Sequence, residues 1–232
     1  LVEIKGLEKL APKDFPGHIS ATVFTGGCNF RCPYCHNADL VLKPGSLATI
    51  PPEAFFEFLD IRRGWLEAVC VTGGEPLMHE DLGDLLRAVK ERELLVKIDT
   101  NGSFPQRLRE LISAGLVDFV AMDVKAPIDR YAEAAGVPVD TAAILESISI
   151  LRGSGCGHLF RTTVVPGLLQ SADIEAIAVM LQPAEEYRLQ PFVAGQMLDP
   201  AYADRPACSG EELSRLAGIA QQFIPLVTVE GT

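Results

Sequence analysis

The chain has 232 residues, 48% hydrophobic and 22% charged, which suits one sizeable globular domain and excludes a disordered, collagen-like or disulfide-stapled protein. Its 20 Lys+Arg against 31 Asp+Glu leave a formal charge of −11, so the surface as a whole repels phosphate backbones and no nucleic-acid partner is expected. No window approaches the roughly 18 consecutive apolar residues of a membrane span, and residues 1–13 lack a basic flank followed by an apolar run, so a cytoplasmic protein without membrane contact is expected.

In chain order, a mixed apolar and charged lead-in over residues 1–18 is followed by a strand-length run at Ile19 to Phe24 and a loop over residues 26–38 that carries three cysteines. Pro52 and Glu53 open a helix through Leu59, in which Phe55, Phe56 and Phe58 have the spacing of core or interface packing rather than of base stacking. A strand at Leu66 to Thr72 holds Cys70 as a small core hydrophobe, and Leu82, Leu85, Leu86 and Val89 then fit the i, i+3, i+4, i+7 stripe of an amphipathic helix. Strands at Leu94 to Asp99 and Val117 to Val124 bracket a helix from Pro105 through Ala114. Ile144, Leu145, Ile148 and Leu151 mark the next helix, before strands at Leu159 to Val165 and Glu186 to Phe192. Ile174, Ile177, Ala178 and Leu181 stripe the helix between those two strands, and Glu211 opens the last one.

Six strand–helix repeats with no linker, low-complexity stretch or fixed period predict one domain over residues 1–232, built on a parallel sheet with right-handed crossovers. At the carboxyl end of strand after strand the apolar run stops at polar groups: Cys28 to Cys35, Gly73-Gly74-Glu75, Asp99-Thr100-Asn101, Asp123-Val124-Lys125, Arg161 and Gln190. Those ends share one face in parallel α/β folds, and a flat doubly wound sheet would concentrate such residues near its switch point. The involvement of nearly every strand predicts an α/β fold of the partial (β/α)6, TIM-like barrel type with parallel strands.

Six cysteines in a chain of this kind point to metal binding or redox chemistry before disulfides. Cys28, Cys32 and Cys35 form a CxxxCxxC run, whereas Cys70, Cys156 and Cys208 are scattered and indicate no second cluster. No second CxxC pair completes a structural zinc tetrahedron, and His36 is awkwardly adjacent to Cys35 as a fourth ligand. Three thiolates suit a cubane iron–sulfur cluster with one open iron; a zinc site and ordinary loop cysteines are the alternatives on spacing alone.

The segment Phe24-Thr25-Gly26-Gly27-Cys28-Asn29-Phe30-Arg31-Cys32-Pro33-Tyr34-Cys35-His36-Asn37 resembles the signature of the radical S-adenosylmethionine enzymes, with Tyr34 as the aromatic residue before the third cysteine. The Tyr-Cys-His-Asn ending and the preceding Asp14-Phe15-Pro16-Gly17 look more narrowly like the glycyl-radical-enzyme activases, among them the activating proteins of anaerobic ribonucleoside-triphosphate reductase and of pyruvate formate-lyase. What the resemblance implies is a 4Fe–4S cluster on Cys28, Cys32 and Cys35, with Tyr34, His36 and Asn37 beside the cofactor. The fourth iron would chelate S-adenosylmethionine, whose reductive cleavage gives methionine and a 5′-deoxyadenosyl radical that abstracts hydrogen.

The remaining markers each have a bland reading beside the one the resemblance implies. Gly73-Gly74-Glu75-Pro76 is an ordinary strand-end turn in isolation; in the family the corresponding backbone and carboxylate contact the cofactor's amino group. Asp99-Thr100-Asn101-Gly102 is a common turn and cap, yet it resembles the activase motif that meets the ribose and, with Asp123, forms a site for a mono- or divalent cation. Asp123 and Lys125 could be a satisfied internal ion pair, and Arg161 a structural partner; the resemblance makes them contacts to cofactor carboxylate or partner peptide. Gln190 stands at the same rim as a candidate cofactor contact, and the chain departs from the family there, with Val193 following Pro191-Phe192 where related activases can carry a His. The expected activity is activation of a glycyl radical enzyme such as anaerobic ribonucleotide reductase, with flavodoxin or ferredoxin as electron donor. Radical chemistry on a small molecule or another protein is the second reading, and a non-catalytic zinc or iron–sulfur interaction protein the third.

Overall fold

A computed structural model of the chain describes residues 2–230. The chain divides into two compact units, residues 2–29, 39–100 and 104–120 in the first and residues 30–38, 101–103 and 121–230 in the second.

In the first unit β1 (Ile4–Glu8) pairs antiparallel with β2 (Ser20–Thr25). The short α1 (Ala38–Leu42), α2 (Pro52–Ile61), β3 (Ala68–Gly73), α3 (Leu82–Lys90), β4 (Leu95–Thr100) and α4 (Pro105–Ser113) follow. β2, β3 and β4 are parallel and neighbours in the sheet, with Thr25 opposite Gly73 and Val71 opposite Ile98. Their carboxyl ends therefore lie level. The stripe foreseen on α3 is the buried one, with Leu82, Leu85, Leu86 and Val89 at 1% exposure or less. In α2, Phe55 and Leu59 are buried, while Phe56 lies under Arg92 and Phe58 under Lys9, so the three phenylalanines pack as expected of them. Phe15, Ala68 and Cys70 form a small apolar cluster with Leu95 and Phe119 against it. Asp118 locks α3 to the start of β4, accepting from Val96 N at 2.7 Å and from Lys90 Nζ at 2.7 and 2.8 Å.

The strand β5 (Phe119–Asp123) begins in the first unit and ends in the second. There α5 (Tyr131–Ala135), α6 (Thr141–Ser154), β6 (Gly157–Val164), α7 (Ser171–Leu181), β7 (Glu186–Pro191), α8 (Gly210–Ala220) and β8 (Leu226–Val229) follow. β6, β7 and β8 are parallel neighbours, and Val124 N donates to Arg161 O at 2.8 Å as the chain leaves β5 beside β6. Helix α7 buries Ile174, Ile177, Ala178 and Leu181 completely. On α6 the expected stripe is corrected: Ile144, Ile148 and Leu151 are buried, but Leu145 is 43% exposed. One step around the helix from Ile144 carries it out of the stripe, and Ser147 takes the buried place, donating to Gly102 O at 2.6 Å.

Within each unit sheet order follows chain order, β1-β2-β3-β4 and β5-β6-β7-β8. A doubly wound sheet would reverse order at a switch point, so this is the winding expected for the barrel class, α/β with a mostly parallel sheet. The described residues hold eight strands where six were foreseen. β1 was overlooked because only Ile4 of its five residues is fully buried and Gly6 interrupts its pattern, and β8 because it is a four-residue run after the last helix.

Candidate active site

In the first unit the turn after β3 is built against the strand that leads to Cys28. Gly74 N donates to Thr25 O at 3.0 Å and Glu75 N to Gly27 O at 2.9 Å. A Cβ on Gly74 would stand 1.7 Å from Gly27 O, so this approach of two backbones excludes any side chain there. Gly26 is held as well: the ring of His79 lies with Nε2 2.9 Å from Gly26 O, and because a carbonyl only accepts, that nitrogen carries the proton. Glu75 is 1% exposed, and its Oε1 accepts from Leu77 N at 3.0 Å and from Thr100 Oγ1 at 2.7 Å. One buried carboxylate thus ties the ends of β3 and β4 together and caps the turn at Pro76–Met78. Asp99, half-buried at the end of β4, is ion-paired to Lys97 two residues earlier on the same strand face. Cys70 lies deep in β3, where burial above all pushes its thiol up to about 11 despite the nearby Lys97, as suits a core residue.

The second unit holds the rest of the cysteine loop. Cys32 and Tyr34 are buried, Cys35 and Asn37 are half-buried and His36 is exposed, with Cys35 N donating to Cys32 O at 3.0 Å. Two other segments clamp this loop by its backbone. Arg31 N donates to Ala135 O at 2.8 Å at the end of α5, and Leu198 N and Asp199 N donate to Cys35 O and Pro33 O, both at 2.9 Å. Gly136 ends α5 in the left-handed region at φ 68°, and a Cβ there would stand 2.1 Å from Arg31 O. Phe30 and Tyr131 meet edge to face with ring centroids 6.4 Å apart.

At the end of β5, Asp123 stands between two cations. Arg161 Nε donates to its Oδ1 at 2.9 Å and Lys125 Nζ to its Oδ2 at 3.2 Å. Burial pushes the Asp123 carboxyl up, but the Arg161 and Lys125 charges outweigh burial and hold it at about 2. Burial likewise works against the Lys125 ammonium, and the Asp123 carboxylate overcomes it and raises Lys125 well above its ordinary value. Burial, followed by the neighbouring Cys32, pushes the Tyr34 phenol well up, so Tyr34 is a neutral hydroxyl at physiological pH. Asn101 Oδ1 accepts from Ser103 N at 2.9 Å and Ser103 Oγ at 2.6 Å. Gln190 donates its side-chain amide to Glu230, and Val193 is 59% exposed beside the fully buried Phe192.

Each unit therefore gathers some of the expected residues at its strand ends: Cys28, Gly73, Gly74, Glu75, Asp99 and Thr100 in the first, and Cys32, Tyr34, Cys35, Asn101, Asp123, Lys125 and Arg161 in the second. No disulfide engages the three loop cysteines, and among the described residues no three His, Cys, Asp or Glu side chains are grouped to hold a single metal ion. Cysteine thiolates are the ligands that iron–sulfur clusters take, so the donor type of the loop suits such a cluster. Sequence reasoning missed Lys97, His79, Gly136 and the 198–199 segment; only Lys97 carried a signal, an i, i+2 pairing with Asp99 like that of Asp123 and Lys125.

A model of the radical SAM superfamily matches residues 22–180. An inferred glycyl-radical enzyme activating enzyme of Methanocaldococcus jannaschii is 34% identical over 99% of this chain and 97% of its own length. The pyruvate formate-lyase 1-activating enzyme of Escherichia coli is 30% identical over 71% of this chain and 68% of its own. Among solved structures, Streptococcus suis SuiB bound to S-adenosylmethionine superposes with a TM-score of 0.67 at 16% identity over 88% of this chain, which spans about half (48%) of SuiB. A domain of the pyruvate-formate lyase-activating enzyme from Bacteroides vulgatus gives 0.57 at 18% identity, covering 71% of this chain and 99% of that domain. The structural likenesses carry the fold alone.

Proposed function

This chain belongs to the radical SAM superfamily, among the glycyl-radical-enzyme activases, and on that premise we propose that it generates a glycyl radical on a partner enzyme, anaerobic ribonucleoside-triphosphate reductase being the expected one. The observation that carries the reading is the CxxxCxxC spacing of Cys28, Cys32 and Cys35, none of them in a disulfide, with Arg31, Pro33 and Cys35 held through their backbone by Ala135, Asp199 and Leu198. Cys28, Cys32 and Cys35 would hold a 4Fe–4S cluster, leaving one iron for the amino and carboxylate groups of S-adenosylmethionine. When bound, cluster and S-adenosylmethionine supply the electron and the 5′-deoxyadenosyl radical that removes the glycine Cα hydrogen.

The protein's own part is positioning and exclusion of water. Gly73 and Gly74 let the turn after β3 pack directly on the Thr25–Gly27 backbone, which fixes that turn for the cofactor contact the resemblance implies, with Glu75 buried beneath as the tie between β3 and β4. Tyr34 shields Cys32 with a neutral phenol. Lys125 and Arg161 bring two positive charges to the ends of β5 and β6, which suits the cofactor carboxylate or a backbone carbonyl of the partner peptide. His36, Asn37, Asn101 and Gln190 complete the contacts the resemblance implies. Flavodoxin or ferredoxin would deliver the electron.

The test is anaerobic: the reconstituted protein receives S-adenosylmethionine and a strong reductant, and 5′-deoxyadenosine is quantified beside Cys28→Ala, Cys32→Ala and Cys35→Ala. Product is expected from the wild-type chain and from none of the variants, with a glycyl radical signal on adding the reductase. Product retained by any of the three variants overturns the ligand assignment, and 5′-deoxyadenosine without a glycyl radical overturns the choice of partner.

A further inference from the structure

Lys97 is 2% exposed in the middle of β4, with its ammonium on the Asp99 carboxylate. An ammonium is costly to bury without a counter-charge, and a lone carboxylate at the end of β4 would be the natural seat of an added cation. The chain supplies that positive charge itself. The side chain opposite Lys97 on β3 is Cys70, whose thiol, pushed up to about 11, stays protonated and neutral. Thr22, next along that row on β2, is neutral too, and its hydroxyl donates to Asp14 at 2.5 Å. In the second unit Arg161 Nε and Lys125 Nζ stand on the Asp123 carboxylate.

We propose that Lys97 is a resident counter-ion for Asp99, a positioning residue that does with an ammonium what a bound metal cation would do at that carboxylate. S-adenosylmethionine binding and cleavage then need no added mono- or divalent cation. The proposal rests on the reading above that Asp99 lies at the cofactor.

The experiment uses the reconstituted full chain, with S-adenosylmethionine affinity and 5′-deoxyadenosine formation measured in choline chloride and in NaCl, KCl or MgCl2 at matched ionic strength. A second readout is the melting temperature of the cluster-free protein in the same salts. For the wild type, both activity measures should agree within about twofold across the salts, and the melting temperature should not distinguish Na⁺ or K⁺ from choline. Lys97→Met, which keeps the length and removes the charge, should bind at least tenfold more weakly in choline and recover severalfold in NaCl or KCl, with a melting temperature that now rises in those salts. Wild-type activity that depends on a metal cation overturns the proposal whether or not the variant folds, as does a folded Lys97→Met that no cation rescues. Absence of cofactor cleavage by wild type in every salt would instead overturn the functional reading.

Discussion

Replacing Asp123 by Asn removes one negative charge from between Arg161 and Lys125 while keeping the side chain's shape. The carboxyl's displacement from 3.8 to about 2, at about 1.4 kcal/mol per pH unit, corresponds to roughly 2–3 kcal/mol of folding free energy. The sign follows from the direction: a carboxyl held below its unfolded value stabilises the fold above pH 3.8 and loses that contribution as pH falls through about 2. Lys125 and Arg161 are only 16% and 14% exposed, so water replaces little of the lost partner. Urea unfolding of cluster-free wild type and Asp123→Asn, followed by circular dichroism because the sole tryptophan, Trp65, is 76% exposed, should differ by about 2–3 kcal/mol at pH 6. About half of that difference should remain at pH 3. A difference below about 0.5 kcal/mol at pH 6, or one that does not narrow toward pH 3, would refute the argument that the two cations hold this carboxylate ionised.

Gly136→Ala should cost about 2–3 kcal/mol and lower iron retention after reconstitution, because its Cβ would press on Arg31 O and displace the cysteine loop. Gly155→Ala is the control, with a similar φ of 71° and no atom within 4 Å, and should cost only about 1 kcal/mol with normal iron content. Equal effects of the two substitutions would refute the clash. Thr100→Val removes a hydroxyl donor from the buried Glu75 carboxylate and should cost about 1.5–3 kcal/mol in urea unfolding; a loss under 0.5 kcal/mol, roughly the noise of such a measurement, would mean that Glu75 is satisfied without it.

Much of the molecule was legible in the sequence because its signals are local. The α3 and α7 stripes repeat at helical period, the six strands foreseen are short apolar runs bounded by polar ends, and the cysteine spacing is read within eight residues. The elements that escaped have weak local signals and form by pairing: β1 is an edge strand with one fully buried residue, and β8 needs β7 beside it. Leu145 went the same way, since a stripe of four apolar residues does not say which one the sheet fails to cover.

The residue types for the chemistry were therefore set by the sequence alone: three closely spaced cysteines, a Gly-Gly-Glu turn, and carboxylates and cations at successive strand ends. What the tertiary structure decided is how each is supported and what charge faces it. Gly74 against Gly27, Gly136 against Arg31, and Leu198 and Asp199 on the cysteine loop are contacts between backbones distant in the chain. Glu75 is committed to Thr100, and Asp123 is shared by Arg161 and Lys125. Such pairings depend on which groups folding brings within a few ångströms and out of water, and the strength of each charge is fixed only there.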